Sequence, residues 1–583
     1  MLPVITDSPP AGARQRYRWL PETVASLVVV LAVLGPVLRR GFVLRYDLVF
    51  VPDPPLNEFT IGADGGLPRA VPSEMVAVAL GNLLPADIAE KLLLAGILML
   101  GCVGAARLAP VRHPAARVAA GVFYVWNPWV YGRLHLGQWA ILAAYAALPW
   151  VFALVVHVVG RRDRSPLPAV LGAVPLAFGG PALALVGALL VGAPLALARR
   201  WWMLLTGGLV LAGLSAPWLI PVFTSGGELR ADPDGLPAFA ARADTPLGVL
   251  GSVLTLGGVW SSNAAPPGRE SWWVAVPALL LTAAALYGYV LLRHRWPAPV
   301  WGGLAVAAGV GLVLALLTSV PVVADWLVDA AEPVPALTAL RDGTRLLAPL
   351  ALVQAVGLAG AVEALARRRD RLPLAALAVL APVALLPSLA WGLGGTLRLT
   401  DYPAEWATVR HAVDADPAPG AVLVLPWSTF RGYPWNDRTP LLDPAPRMFD
   451  RLVITADDVR VGPVTIGGEN PRNRRIAALL AGPGPLDPAA LRAAGVRYVL
   501  VERDQPGAEA FSRVHGAVEV HRGESLVLMR LPGPTESTPN SRVCKACWLG
   551  YGVAMSTLLT LVVIALTRSR ARMLLSGNPS WED

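Results

Sequence analysis

At 583 residues, with 55% hydrophobic and 15% charged residues and a mean hydropathy of +0.54, the chain lacks the polar surface of a soluble globule, which carries about a quarter charged residues. The formal charge of +9 does not point to nucleic acid, because the arginines cluster beside apolar segments, as membrane topology arranges them. Cys102, Cys544 and Cys547 are too few for a disulfide framework. Cys544 and Cys547 offer at most two of the four ligands of a structural zinc, so they read as a local disulfide or two idle thiols. Lys91 and Lys545 are the only lysines, a coding bias of a GC-rich genome.

In chain order, Arg14, Arg16 and Arg18 precede an apolar run at 21–38 that resembles a signal peptide. No small-residue cleavage site follows, so it reads as an uncleaved first helix. A bilayer core needs about 20 apolar residues per helix. Runs of that kind centre near residues 30, 98, 121, 148, 190, 211, 282, 308, 356, 383 and 557, and a shorter run at 167–178 ends on the Gly179-Gly180-Pro181 turn. The fold class expected is a polytopic α-helical membrane protein of about twelve transmembrane helices, with an α/β extracytoplasmic domain before the last helix.

Orientation follows from arginine placement. With the N-terminus inside, every even crossing reaches a basic cluster: Arg107, Arg112 and Arg117; Arg161, Arg162 and Arg164; Arg199 and Arg200; Arg293 and Arg295; Arg367, Arg368, Arg369 and Arg371; and Arg568, Arg570 and Arg572. The expectation is a multi-pass protein of the plasma membrane with both termini cytoplasmic. Residues 1–393 form the membrane domain, with outside loops at 39–72, 224–271 and 320–345; 394–542 form the soluble domain; 543–583 hold the last helix and a basic tail. Within 394–542, apolar runs at 421–425 and 496–501 suit buried strands. Helical stretches are expected at 405–413 and 473–480, and another at 486–494 with Gly495 as its cap. No Gly-rich phosphate loop and no Gly-x-Ser-x-Gly elbow follows these strands, which argues against a self-sufficient hydrolase.

Four groups carry candidate chemistry. The first loop reads Arg45-Tyr-Asp-Leu-Val-Phe-Val-Pro-Asp53, and Asp47 stands about ten residues beyond the first helix. A carboxylate at the membrane face suits a general base on a sugar hydroxyl, worth ~10²–10⁴ in rate; the bland reading is a solvated acid or a helix cap. The second group is Trp126-Asn-Pro-Trp-Val-Tyr-Gly-Arg-Leu-His-Leu-Gly-Gln-Trp139. Its tryptophans fit an interfacial belt, but Asn127, Arg133, His135 and Gln138 crowd one short turn beside Trp139, where polar groups are costly unless paired or used. The third is Arg341-Asp-Gly-Thr-Arg345. Outward arginines suit a lipid phosphate, or else ion pairs such as those with Asp325 or Asp329. The fourth is the acidic group Glu228, Asp232 and Asp234, which fits a divalent cation or, more plainly, a solvated charge run. An aromatic stretch at 426–436, with Trp427, Tyr433 and Trp435, suits stacking on a glycan or packing on the membrane domain.

Together these residues resemble the GT-C superfamily of polyprenyl-phosphate-sugar-dependent glycosyltransferases, in the form of large actinobacterial membrane proteins of that type. The resemblance rests on Asp47 soon after helix one, the Trp126-to-Trp129 and Gly137-to-Trp139 turn, Ala216-Pro-Trp-Leu-Ile-Pro221, the Arg341-to-Arg345 segment, and the runs ending at Trp427 and Val501. It implies inverting transfer of a sugar, such as mannose or arabinofuranose, from a polyprenyl-phosphate donor to a cell-envelope glycan on the outer face. Asp47 matches the first-loop acid that deprotonates the acceptor. Arg45, Arg341, Arg345 and the 127–139 turn would then hold the lipid phosphate and substrate. Asp53 is a second acid in the same loop, so either could be the base. The absence of a paired Asp-x-Asp leaves metal dependence open, and no metal ligand set is assigned.

Two other classes stand beside the enzyme. A transporter or flippase of a lipid-linked glycan should show internal repeats and mid-membrane charges, and neither is evident. A non-catalytic envelope scaffold would leave Asp47 dispensable.

Overall fold

The structure is a computed structural model. It describes residues 20–160, 167–225, 231–482, 486–511, 514, 516–535 and 541–576, the last segment as backbone only at 541–544 and 568–576. Arg14, Arg16, Arg18, Arg161, Arg162, Arg164 and Glu228, and the side chains of Cys544, Arg568, Arg570 and Arg572, lie outside the described residues.

Among the described residues eight helices are long and apolar enough to cross a membrane: Leu20–Val37, Ala86–Leu108, Trp139–Gly160, Leu167–Leu197, Trp272–Leu291, Ala298–Leu317, Gly343–Ala366 and Lys545–Thr567. Two bent pairs, Trp201–Leu214 with Ala216–Thr224 (79°) and Arg369–Leu385 with Pro387–Gly395 (62°), raise the number to as many as ten. The chain is thus a polytopic membrane protein, and the count of about twelve is corrected. The runs at 167–178 and around 190 belong to one continuous span. The run near 121 is the helix Pro114–Val125, whose 12 residues reach only about 18 Å, short of a hydrocarbon core of ~30 Å. It begins beside the buried Arg117–Glu22 pair and ends at the Asn127 cap that starts the helix Pro128–His135.

The α/β domain is built on a five-stranded sheet. In chain order its strands are β1 (Ala421–Leu425), β2 (Val453–Ile454), β3 (Val496–Glu502), β4 (Val518–Arg522) and β5 (Leu526–Arg530), arranged β4-β5-β3-β1-β2. β1 lies parallel to β2 and β3, while β5 pairs antiparallel with β3 and with β4. Period-two alternation sends Val422, Val424, Tyr498, Leu500, Leu526 and Leu528 to one face, where they join the apolar core that runs on into the membrane helices. Leu423, Leu425, Val499, Val501 and Val527 go to the other face, against Ile476 and Leu491. Those two side chains come from the helices Pro471–Leu480 and Pro488–Ala493, and Gly495 at φ +86° turns the second into β3. The sheet therefore docks on the bundle through its own core, and the domain is not tethered by a linker alone.

The aromatic stretch packs on the membrane side. Tyr433 is buried and stacks on Trp435 at 4.7 Å, Trp435 packs against Tyr402 at 5.1 Å, and Asn436 donates to the Leu44 carbonyl at 3.1 Å. A short ladder, Phe42–Val43 against Leu399–Thr400, joins the segment after the first span to the start of the domain. Cys547 is buried, and its thiol donates to the Gly62 carbonyl at 3.2 Å.

Candidate active site

Asp47 sits at the tip of a tight turn. Arg45 and Leu48 exchange backbone hydrogen bonds of 3.0 and 2.8 Å, and Tyr46 takes a left-handed φ of +44°. The turn is clamped from both sides. Tyr46 N–H donates to the Pro440 carbonyl at 2.6 Å and the Tyr46 carbonyl accepts from Leu442 N–H at 2.9 Å, so the residue pairs with the α/β domain. Asp47 N–H donates to the Leu136 carbonyl at 3.1 Å, which fixes it to the 127–139 turn of the membrane domain.

That second turn depends on Gly137. Its φ is +68°, and a Cβ there would stand 2.3 Å from the Arg45 carbonyl oxygen and 2.4 Å from Leu48 N. Only glycine permits both the conformation and the close approach. The next residue, Gln138, then donates from Nε2 to Asp47 Oδ2 at 3.3 Å and accepts at Oε1 from Arg133 at 2.9 Å.

Arg133 is buried. It meets both oxygens of Asp342, at 2.5 and 2.9 Å, and Thr344 Oγ1 at 2.5 Å, and it lies over the Trp129 ring. Asp342 holds a left-handed φ of +57° and also accepts from Arg345 Nε at 3.0 Å. Two arginines and the nearby Asp47 are thus organised around one buried carboxylate. Arg133 and Arg345 both keep the Asp342 carboxyl low against the burial that opposes it. Arg345 is partly exposed and spends only Nε, so its terminal nitrogens have no partner among the described residues.

Asp47 is half-buried in the turn. Burial raises its carboxyl above the ordinary aspartate range; the Gln138 hydrogen bond, then Arg345, Arg447 and Arg133, oppose that rise without cancelling it. A poised carboxylate with a free-ended guanidinium nearby can take a proton and steady a phosphate in one place.

On the other side of the turn, Arg45 donates from Nε to the His135 carbonyl at 2.8 Å and meets His135 Nε2 at 2.5 Å. Burial and the Arg45 charge pull the imidazole down to about 4, so it is neutral and accepts at Nε2. Its proton is then on Nδ1, a buried atom with no partner among the described residues. Arg45 has no carboxylate partner among the described residues and stacks over the Tyr46 ring at 5.2 Å.

The other expected residues separate. Asn127 is a helix cap: Oδ1 accepts from Val130 N–H, and Nδ2 donates to Phe123 and Tyr124 carbonyls, which leaves it no free group toward Asp47. Trp139 is buried against Phe50 and Phe178. Asp53 is exposed at φ +45° and hydrogen-bonds to none of the Asp47 network. Arg341 and Arg345 are ion-paired, but with Glu469 (3.3 Å) and Asp342; Asp325 and Asp329 stand exposed. Asp232 accepts the amides of Gly467 and Asp234, at 2.7 and 3.0 Å. Among the described residues no group of three His, Cys, Asp or Glu is placed to hold a metal.

Sequence reasoning missed Asp342, although it sits inside the Arg341–Arg345 motif, and it missed Arg447. Arg447 forms a bidentate pair with Glu74, at 3.1 and 2.7 Å, between the α/β domain and the helix Ser73–Leu83.

Fold and site together define a polytopic membrane protein whose first loop presents a half-buried carboxylate beside a docked α/β domain. The same fold occurs in the arabinofuranosyltransferase AftD from Mycobacteria, solved by single-particle cryo-EM: TM-score 0.56, 19% identity, 89% of this chain and 40% of that one. Two classes of its R1389S mutant match at TM-scores of 0.56 and 0.53, with 20% and 18% identity, 89% of this chain and 42% and 41% of theirs. The chain thus spans about two fifths of the length of those proteins. No protein-family model matches the sequence, and no curated protein does.

Proposed function

We propose that this protein is a membrane glycosyltransferase of the GT-C type that moves a sugar from a polyprenyl-phosphate donor to a cell-envelope glycan, with inversion at the anomeric carbon. The observation that carries the reading is the pairing of a half-buried, upward-shifted Asp47 with the free-ended Arg345 across Gln138, Arg133 and Asp342. The fold shared with an arabinofuranosyltransferase supports it and makes arabinofuranose the first donor sugar to try, with mannose second. The protein sits in the plasma membrane with both termini cytoplasmic and the α/β domain outside, a reading supported by the basic clusters that follow the spans ending at Leu108, Leu197, Leu291, Ala366 and Thr567.

In this reading the acceptor hydroxyl attacks the anomeric carbon as its proton passes to Asp47. The bond from that carbon to the phosphate oxygen breaks, and the polyprenyl phosphate leaves with the electron pair, its charge met by Arg345 and Arg45. Arg133 acts as a positioning residue, since Asp342 and Thr344 occupy its guanidinium. Asp53, exposed and apart, is not the base.

The test is transfer from radiolabelled polyprenyl-phosphate arabinofuranose, and separately from the mannose donor, in membranes holding the wild type, Asp47→Asn or Asp53→Asn at matched expression. Asp47→Asn should abolish transfer and Asp53→Asn should retain it. Normal activity in Asp47→Asn would show that the base is misassigned.

A further inference from the structure

A cavity of about 270 Å³ lies between the segment that follows the Asp47 turn and the α/β domain. Phe59, Asp64 and Arg69 line it from the first loop, Arg341 from the third, and Asp457 and Glu469 from the domain. Its walls are fixed. Asn57 caps the short helix Glu58–Ile61 and donates across to the Pro446 and Phe449 carbonyls at 2.9 and 2.8 Å, while Arg447 lies over the Phe59 ring at 4.9 Å.

The charges in the cavity are mixed and incompletely spent. Arg69 and Arg341 share the single carboxylate of Glu469, which leaves guanidinium N–H groups over. Asp457 takes two backbone amides, those of Glu469 and Asn470, on Oδ2 at 2.8 Å each, and forms no ion pair among the described residues. Asp64 receives the Gly66 amide at 3.4 Å and its own backbone amide but no side chain among the described residues, and burial lifts its carboxyl to about 6. A phosphate would meet Asp64, Asp457 and Glu469, and a metal ion would meet Arg69 and Arg341. A neutral polyol satisfies both sets, because its hydroxyls donate to carboxylates and accept from guanidinium groups. Its carbon skeleton has the Phe59 side for a wall. The volume lies just under the ~300–1,000 Å³ of small-molecule sites, enough for a short piece of an extended ligand.

We propose that this cavity binds a neutral glycan, the acceptor chain, with Asp64 and Asp457 accepting from its hydroxyls and Arg69 and Arg341 donating to them. Its role as acceptor site rests on the transferase reading; glycan binding itself does not. Arg447 links the two places, since it lines the cavity and also acts on Asp47.

The experiment is binding to full-length protein in lipid nanodiscs by titration calorimetry, with a short arabinofuranosyl oligosaccharide, a mannosyl one, inorganic phosphate and Mg²⁺ as separate probes. Saturable binding of a neutral oligosaccharide is expected, weakened at least tenfold by Asp64→Asn and by Arg69→Gln, and unchanged in Asp53→Asn. No saturable oligosaccharide binding, phosphate or Mg²⁺ bound in its place, or equal binding by Asp64→Asn and Arg69→Gln overturns the proposal. Melting curves of the two variants show that each is folded. If glycan binds but no donor supports transfer, the cavity stands and the transferase reading falls. If transfer occurs and neither variant changes the acceptor KM, the cavity assignment falls alone.

Discussion

Gln138 holds Asp47 from one side: its Nε2 donates to Asp47 Oδ2 at 3.3 Å, while its own oxygen is held by Arg133 at 2.9 Å. A donated hydrogen bond favours the carboxylate over the carboxylic acid, so Gln138 works against the burial that raises Asp47. A base must be deprotonated to act. With its folded pKa raised, the acid limb of kcat/KM should sit above the ~4 of a free aspartate. Gln138→Leu removes the opposing hydrogen bond, so the limb should move further toward neutral pH and activity below it should fall. A pH profile of the wild type and the variant checks this, and a limb that stays put or moves down counts against Asp47 as the base.

Arg345 and Asp342 should separate catalysis from stability. Arg345→Gln removes the free-ended guanidinium but leaves the Arg133–Asp342 pair intact. The expected result is a near-normal melting temperature with kcat down ~10²–10³-fold, the usual cost of one group that stabilises developing charge. Asp342→Asn leaves buried Arg133 without its counter-ion and should lower stability by about 3–5 kcal/mol. Thermal unfolding in detergent, read beside transfer assays, distinguishes the two. If Arg345→Gln melts early with little loss of rate per folded molecule, its role is structural.

Gly137 sets where Asp47 points. Gly137→Ala should cost ~1–2 kcal/mol for a left-handed alanine, and its methyl would press on the backbone of Arg45 and Leu48, the two residues that close the Asp47 turn. A misplacement of about 1 Å can cost ~10²-fold in rate, so activity should fall far more than stability. Gly96→Ala, whose added methyl meets nothing within 4 Å, serves as the matched control and should behave as the wild type in both measurements.

Much of this was legible in the chain because the signals were local. β1 and β3 are short apolar runs with a glycine just before each, and they formed where expected, with the helix cap at Gly495 between helix and strand. β4 was not legible, since Val518 to Arg522 mixes polar and apolar residues on an exposed edge. The span count failed because run length does not register a 79° or a 62° bend, or a 12-residue buried helix. Asp47, Arg133 and Gln138 stood out as polar groups beside apolar helices. Asn127 stood out too, but Pro128 at the first helical position already marked it as a cap. Arg447, Asp64 and Asp457 gave no sign, because isolated charges in polar stretches look solvated until the fold places them; Arg447 finds its partner, Glu74, 373 positions away.

Glu74 and Arg447, 373 positions apart, make the plainest test of the docked arrangement. Both side chains are under a tenth exposed, and the pair is bidentate. Glu74→Gln would leave a buried guanidinium without a counter-charge, with an expected loss of about 3–5 kcal/mol, whereas apolar replacement of both partners at similar volume is often neutral. The double variant Glu74→Leu with Arg447→Met should therefore melt closer to the wild type than Glu74→Gln does. The single variant should also expose the 440–450 region to protease, because Asn57 and Arg447 anchor that stretch to the first loop. Melting curves and limited proteolysis of the two variants give the comparison. A double variant that melts as early as the single one would mean that the domain is held there by the charge pair itself, and not by the apolar core it shares with the helices.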